Sequence, residues 1–333
     1  MKGFNNLGPL VAVAGGYKIR NGGGFFSGNG FPKSGTAGTG VGRDGKGYPT
    51  GSMYMDDDTG VVFVNEGSAT SPYWTPSTFD QRGLLGWYSD FRDGAGKAVA
   101  DTATTATLIG SGLRVHGDGI EATDSGLTVA MTATDGKGAV GSLIATAADA
   151  KLACLSVGVG TTPVFQADQN GTYVVDTLIT NSSAITLRAV FCGFCGSAAD
   201  AIAPLMTYSG TTLSFAATQA DDIAGLTFSS ELTATDRWFA PHDKANTNAS
   251  IETTATGVDT GVTVAAAGTY QRLRVECDAN GTVRMFIDKA LEATFTAALD
   301  VDEEMHPMLY VESTSTATKT ILVRHFATWG RKA

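Results

Sequence analysis

The chain has 333 residues, 43% hydrophobic and only 17% charged, enough to bury a sizeable core and too apolar for a disordered chain. Its formal net charge of −10 is split: residues 1–50 hold six basic side chains (Lys2, Lys18, Arg20, Lys33, Arg43, Lys46) against Asp44, or +5, leaving 17 basic and 32 acidic groups, or −15, on the rest. A basic leader on an acidic body asks for an acidic partner, while six charges scattered among glycines are too sparse to expect specific nucleic-acid binding.

Residues 1–47 contain fifteen glycines and no sustained period of 2 or 3.6, so they are not expected to pack alone. The run "LGPLVAVAGG" faintly resembles a secretion signal but is short and broken by Gly8 and Pro9, so that reading is rejected. No stretch reaches the ~20 apolar residues of a membrane span, and no membrane partner is expected. Ordering a glycine-rich arm would cost on the order of tens of kcal/mol, which implies an external grip. Phe4, Tyr17, Phe25, Phe26 and Phe31 are the expected anchors, with Lys18, Arg20, Lys33 and Arg43 facing an acidic surface.

Residues 48–78 read as a β-hairpin module. "SMYM" and "VVFVN" are strand-like, and "DDDTG" between them is turn chemistry ending in Gly60. A calcium loop starting at Asp56 would need glycine at Val61 and a carboxylate at Gly67, so the three aspartates are read as a turn. Because a lone hairpin is marginal in water, Tyr54, Phe63, Tyr73 and Trp74 are expected to pack it onto something larger. Residues 79–104 are read as a connecting strap carrying Trp87, Tyr88 and Phe91.

From residue 105 to 333 short alternating strands recur. In "QRLRVECDANGTVRMFID", Leu273, Val275 and Cys277 share one face, "DANG" turns, and Val283, Met285 and Ile287 share the returning face. The expected class is all-β, an antiparallel two-sheet sandwich. Cys192 and Cys195 sit in the strand-like run "AVFCGFC", where positions three apart point to opposite faces, so packing thiols are favoured over a redox or zinc pair.

"TYQRLRVECDANGTVRMFIDKALEATF", "PMLYVEST" and "TILVRHFATW" resemble the concanavalin A-like (laminin-G-like) jelly roll, and "AVFCGFCGSAADAIAPL" is similar to a segment recurring in tailed-bacteriophage structural proteins. "GSMYMDDDTGVVFVNEGSATSPYWTP" looks like a short module of virion fibre, tail and head-decoration proteins. Lys289-Ala290 departs from the usual Gly-Lys after the hairpin. The resemblance implies a bacteriophage virion structural protein of the capsid decoration (cement) type on the outer capsid surface. Its expected partners are the major capsid protein and neighbouring copies, as a homotrimer. A tail or head fibre whose jelly roll binds host glycan is the alternative.

Glycanases share this fold class, but a retaining site needs two carboxyls roughly 5–5.5 Å apart, and no Glu-x-Asp-x-x-Glu run is present. Asp300, Asp302, Glu303, Glu304 and His306 in "ALDVDEEMHP" form the densest acidic cluster and are read as a solvated loop, with calcium held by Asp300, Asp302 and Glu304 the lesser alternative. No nucleophile elbow or phosphate loop is recognisable, and no enzyme activity, cofactor or metal is expected. Trp238, Phe239 and His242 are the candidate sugar-stacking surface, set against a plain packed strand.

Overall fold

A computed structural model describes residues 11–13, 16–18, 24–35, 49–79, 81, 83–91, 98–99, 107–109, 113–116, 127–131, 139–145, 151–157, 164–186, 188–196, 204–215, 222–234, 236–244 and 257–332. The expected anchors Phe4, Arg20 and Arg43 lie outside these residues, and Tyr17 and Lys18 are placed only by strand register.

The N-terminal sheet holds six strands in chain order: β1 (Val11–Val13), β2 (Gly16–Lys18), β3 (Gly24–Gly28), β4 (Met53–Asp56), β5 (Val62–Asn65) and β6 (Trp74–Pro76). The hairpin expected at 48–78 is its β4–β5 pair, extended by β6. The arm boundary differs from the expectation: β3 runs parallel to β4, so part of the glycine-rich leader belongs to a folded sheet. Two local devices offset its entropy. The buried Asp56 carboxylate accepts the Gly30 amide at 2.7 Å, and Phe31 is buried against Phe63 with ring centroids 4.9 Å apart.

The body continues with β7 (Leu84–Ser89), β8 (Ala98–Val99), β9 (Thr107–Ile109), β10 (Leu113–His116), β11 (Leu127–Met131), β12 (Ala139–Ala145), β13 (Lys151–Val157) and β14 (Phe165–Gln166). A single helical turn, α1 (Ala167–Asn170), leads to β15 (Tyr173–Asn181), β16 (Arg188–Cys195), β17 (Met206–Ser209), β18 (Thr212–Phe215), β19 (Ile223–Ser229) and β20 (Arg237–Asp243). Then come β21 (Gly257–Thr263), β22 (Gln271–Cys277), β23 (Val283–Ile287), β24 (Ala290–Phe295), β25 (Glu304–Ser313) and β26 (Lys319–Arg331).

These strands build two facing sheets. One has the order β21-β20-β19-β16-β25-β13-β10-β9, the other β24-β23-β22-β15-β26-β12-β11-β8. The fold is thus the expected all-β jelly-roll sandwich. Leu273, Val275, Cys277, Val283, Met285 and Ile287 all enter the core between the sheets. The sandwich begins before residue 105, because the long β26 pairs with β12 along Lys319–Val323 and with β7 along Phe326–Arg331. Trp87 and Phe91, expected as a strap, pack against that core.

Both outer faces are partly covered. The β17–β18 hairpin lies over the β16 sheet, where Met206, Tyr208 and Leu213 cluster with Phe191, Cys195 and Tyr310. The N-terminal sheet lies over the β15 sheet, where Tyr54, Phe63 and Trp74 cluster with Val174, Ala327 and Trp329. All four cysteines are buried thiols outside any disulfide, Cys192 in the core and Cys195 in the outer cluster.

Candidate functional site

The densest chemistry is the charged layer between the N-terminal sheet and the outer face of the β15 sheet. It follows from strand alternation. With Leu273, Val275 and Cys277 turned inward, Arg272, Arg274 and Glu276 must point outward. Register then sets Asp176 of β15 opposite Arg274 and Arg284 of β23 opposite Glu276, with Asp278 just past β22.

At the centre, the Asp176 carboxylate is 1% exposed. It receives Arg272 Nε at 2.9 and 3.1 Å, the Tyr73 hydroxyl at 2.7 Å and contact from His325 Nε2 at 2.8 Å. Burial alone would raise this carboxyl, but the Arg272 charge, the His325 hydrogen bond and the Arg274 charge outweigh it and hold it well below the usual carboxylate range. Arg272 Nη1 also reaches Glu66, just past β5, at 2.8 Å.

Arg274 bridges two acids, with Nη2 2.9 Å from Glu276 and Nη1 3.9 Å from Asp176. It also donates to the Trp74 carbonyl, and its guanidinium lies 4.1 Å from the Tyr73 ring centroid and 4.8 Å from that of Trp329. Those aromatic faces compensate donors that find no oxygen. Farther along, Arg284 forms a bidentate pair with Asp278 at 2.8 and 2.6 Å and reaches Glu276 at 3.2 Å. The leader closes the row: the Ser34 amide donates to Glu276 at 3.1 Å, and Lys33 pairs with Asp278 at 2.9 Å.

Chemically this layer is a lock. A general acid needs a carboxyl held protonated near neutral pH, which requires a raised pKa. Asp176 and Asp278 are held the other way by their arginines, and Asp176 and Glu276 share Arg274 beneath Trp74. Buried ion pairs roughly repay their own desolvation, so the apolar contacts of Trp74, Phe63 and Tyr54 with Trp329 and Val174 supply the docking energy. The charges dictate where the sheet seats, because any other position would strand a buried ion.

The hairpin residues Tyr54, Phe63, Tyr73 and Trp74 are all buried at this junction. Of the expected arm contacts, Phe31 is buried, Phe26 is half-buried, and Lys33 finds its acidic partner within its own chain; Phe25 stays exposed. The sugar-stacking expectation needs correction. Trp238 is 1% exposed, sits in the core and donates its indole N–H to Gln271 at 3.1 Å. Phe239 faces the opposite side of β20 and packs against the outer cluster, while His242 packs on Phe295, with ring centroids 4.4 Å apart. Trp238 and His242 share the inward face of β20, where Trp238 is buried, and Phe239 points the opposite way, so the three form no common open surface. Asp300 pairs with Lys244, and among the described residues no group of three or more metal-ligating side chains converges.

Sequence reasoning missed Asp176, Arg272, Arg274, Glu276, Arg284 and His325. For the three arginines and Glu276 the signal was charge at the outward positions of β22 and β23; Asp176 on β15 and His325 on β26 stand as polar positions in largely apolar strands.

Neither the protein-family models nor the curated proteins contain a match to this chain. Among solved structures, it is similar to a protein of unknown function from Shewanella oneidensis MR-1, with 8% identity, a TM-score of 0.45, and coverage of 75% of this chain and 87% of that one. A carbohydrate esterase from the Shiga toxin-encoding bacteriophage phi24B aligns with 13% identity and a TM-score of 0.38, covering 67% of this chain and 91% of that one. A Bacillus licheniformis β-glucanase gives 12% identity and a TM-score of 0.39, covering 74% and 98%. At these scores the fold assignment rests on the chain's own strand order.

Proposed function

We propose that the chain is a non-enzymatic bacteriophage virion structural protein of the capsid decoration type, its sandwich displayed outward and its N-terminal region gripping the particle. One observation carries this reading. The sheet that resembles virion modules is bolted to the sandwich by its inner face, while Phe25 and Met53 on its outer face stay exposed to meet a partner. The locked carboxylates speak against hydrolysis at this face. The fibre or receptor-binding alternative has less support, since its named aromatic surface is dispersed.

Residues 1–22 offer the test. They include β1 and β2, whose described pairings stay within the N-terminal sheet, whereas Lys33 and Ser34 hold the body together. Deleting 1–22 should leave a folded protein that no longer joins capsids of the phage encoding it. Full decoration by the truncated chain would overturn the proposal.

A further inference from the structure

Lysine and arginine are almost never fully buried in a protein unless a carboxylate pairs with them. Two cations at one end of this sandwich depart from that rule. β16 opens with Arg188 and β26 with Lys319, each on the strand face that continues into the core, as Val190 and Cys192 and as Ile321 and Val323. Arg188 is 1% and Lys319 8% exposed.

Arg188 ties the two sheets together there. Its Nη1 donates to Asn181 Oδ1 at 3.2 Å and to the Thr320 carbonyl at 2.7 Å. Its Nη2 donates to the Ser183 hydroxyl at 2.8 Å and to the Ala184 carbonyl at 2.9 Å. All four acceptors are neutral, so the guanidinium is held in place while its charge goes unbalanced. Burial lowers its pKa, and burial together with the Arg188 charge lowers that of Lys319. Among the described residues no carboxylate pairs with either cation. Glu312, next to Ala189 in register, turns with Tyr310 to the opposite face of the sheet, where its charge acts on Tyr208.

Neighbouring like charges in a low-dielectric rim attract a counter-ion. The rim is open, since Ser182, Ser183 and Ala184 are exposed. The Ser183 oxygen accepts from Arg188, which leaves its own O–H to donate. The turn before Lys319 is fixed, with the Ser313 hydroxyl 2.9 Å from both the Ser315 and the Ala317 carbonyls.

We propose that Arg188, Lys319 and Ser183 form a binding site for a dianionic tetrahedral oxyanion, of the chemistry of sulfate or phosphate, whose two charges match the two cations. The Lys319 ammonium and the Ser183 hydroxyl donate to the anion, and Arg188, its Nη donors already committed, contributes its charge from beneath. The site stands on the sandwich alone and does not require the decoration role.

Equilibrium dialysis of the full chain against radiolabelled sulfate, at an ionic strength fixed with chloride, tests it, with circular dichroism confirming the fold of each variant. The wild type should take up one sulfate per chain saturably. Phosphate should displace it, and acetate, a planar monoanion, should not. Lys319→Gln should weaken binding about tenfold or more, the loss of one charge-assisted hydrogen bond. Ser183→Ala, at an exposed position, should weaken it less. Lys244→Gln, at the opposite end of the same sheet, should bind as the wild type does. The absence of saturable uptake would overturn the proposal. So would wild-type affinity in folded Lys319→Gln or Ser183→Ala, an equal loss in Lys244→Gln, or displacement by acetate as effective as by phosphate. Particle incorporation is a separate readout, so either idea can fail alone.

Discussion

Tyr73 donates its phenolic hydrogen to Asp176 at 2.7 Å, joining residues 103 apart in sequence and fastening the N-terminal sheet to the middle of the sandwich. The same carboxylate faces Arg272, Arg274 and His325, so it anchors charge as well as geometry. The two roles separate by mutation.

Asp176→Asn keeps the shape but leaves Arg272 and Arg274 short of a buried counter-charge, a change expected to cost about 3–5 kcal/mol. Tyr73→Phe removes one hydrogen bond to a charged group and should cost about 1.5–3 kcal/mol. Urea unfolding of the two variants beside the wild type measures both. Equal losses would show that the carboxylate matters only as an acceptor for Tyr73.

The same layer sets an acid limit. Asp176 and Asp278 have their carboxyl pKa values lowered on folding: burial opposes the shift, and the neighbouring arginines more than offset it. Groups depressed in the folded state contribute stability that is fully present above their unfolded pKa, near 3.9, and is lost as pH falls toward the folded value. Stability from these two groups should therefore be flat from neutral pH to about pH 5 and decline progressively below about pH 4. Thermal melts across this range check it, and Asp176→Asn should flatten the acid decline. An undiminished decline in the variant would move the cause elsewhere.

The β22–β23 hairpin was legible because "DANG" is strong turn chemistry and Leu273, Val275 and Cys277 alternate cleanly. The opposite faces of those strands were not. Arg272, Arg274, Glu276 and Arg284 look like solvated positions in a one-dimensional pattern, and Arg274, Glu276 and Arg284 are buried, with Arg272 half-buried, because a sheet about 200 residues earlier in the chain lies over them. Periodicity reports which residues share a face, not what arrives from a distance to cover it. The glycine-rich leader misled for a related reason. Residues 24–35 show little alternation, yet a parallel partner in β4 and a buried acceptor in Asp56 order them. Trp238 illustrates the converse, since a tryptophan beside a phenylalanine reads equally well as platform or core until burial decides.

Gly193 and Gly225 face each other across β16 and β19. A Cβ on Gly225 would stand 2.5 Å from both the Cys192 carbonyl and the Phe191 ring, and one on Gly193 would stand 2.2 Å from the Ala224 carbonyl. The paired glycines leave room for the Phe191 ring, which stacks on Tyr310 with centroids 5.4 Å apart. Alanine at either position should destabilise by roughly 1–3 kcal/mol through overpacking, with Gly193→Ala the more disruptive because its nearest obstacle, the Ala224 carbonyl oxygen, is the closer one. Denaturant midpoints for the two variants decide it; wild-type stability in both would mean the strands separate without cost.

Asp56 gives the sharpest test of how the leader is held. Its carboxylate accepts the Gly30 amide at 2.7 Å, the Asp58 amide at 3.3 Å and the Thr59 hydroxyl, so one buried side chain both shapes the turn and pins the strand before it. Asp56→Ala strips all three donors of their acceptor at a cost of about 1–3 kcal/mol. The consequence should be local. Hydrogen exchange at the Gly30 amide and along β3 should accelerate, while β22 and β23, which pair within the sandwich, keep their protection. Asp56→Asn, which retains one carbonyl acceptor, should fall between the alanine variant and the wild type. Unchanged exchange at Gly30 in Asp56→Ala would show that the burial of Phe31 alone fixes the leader, and that the first of the three consecutive aspartates serves only its own turn.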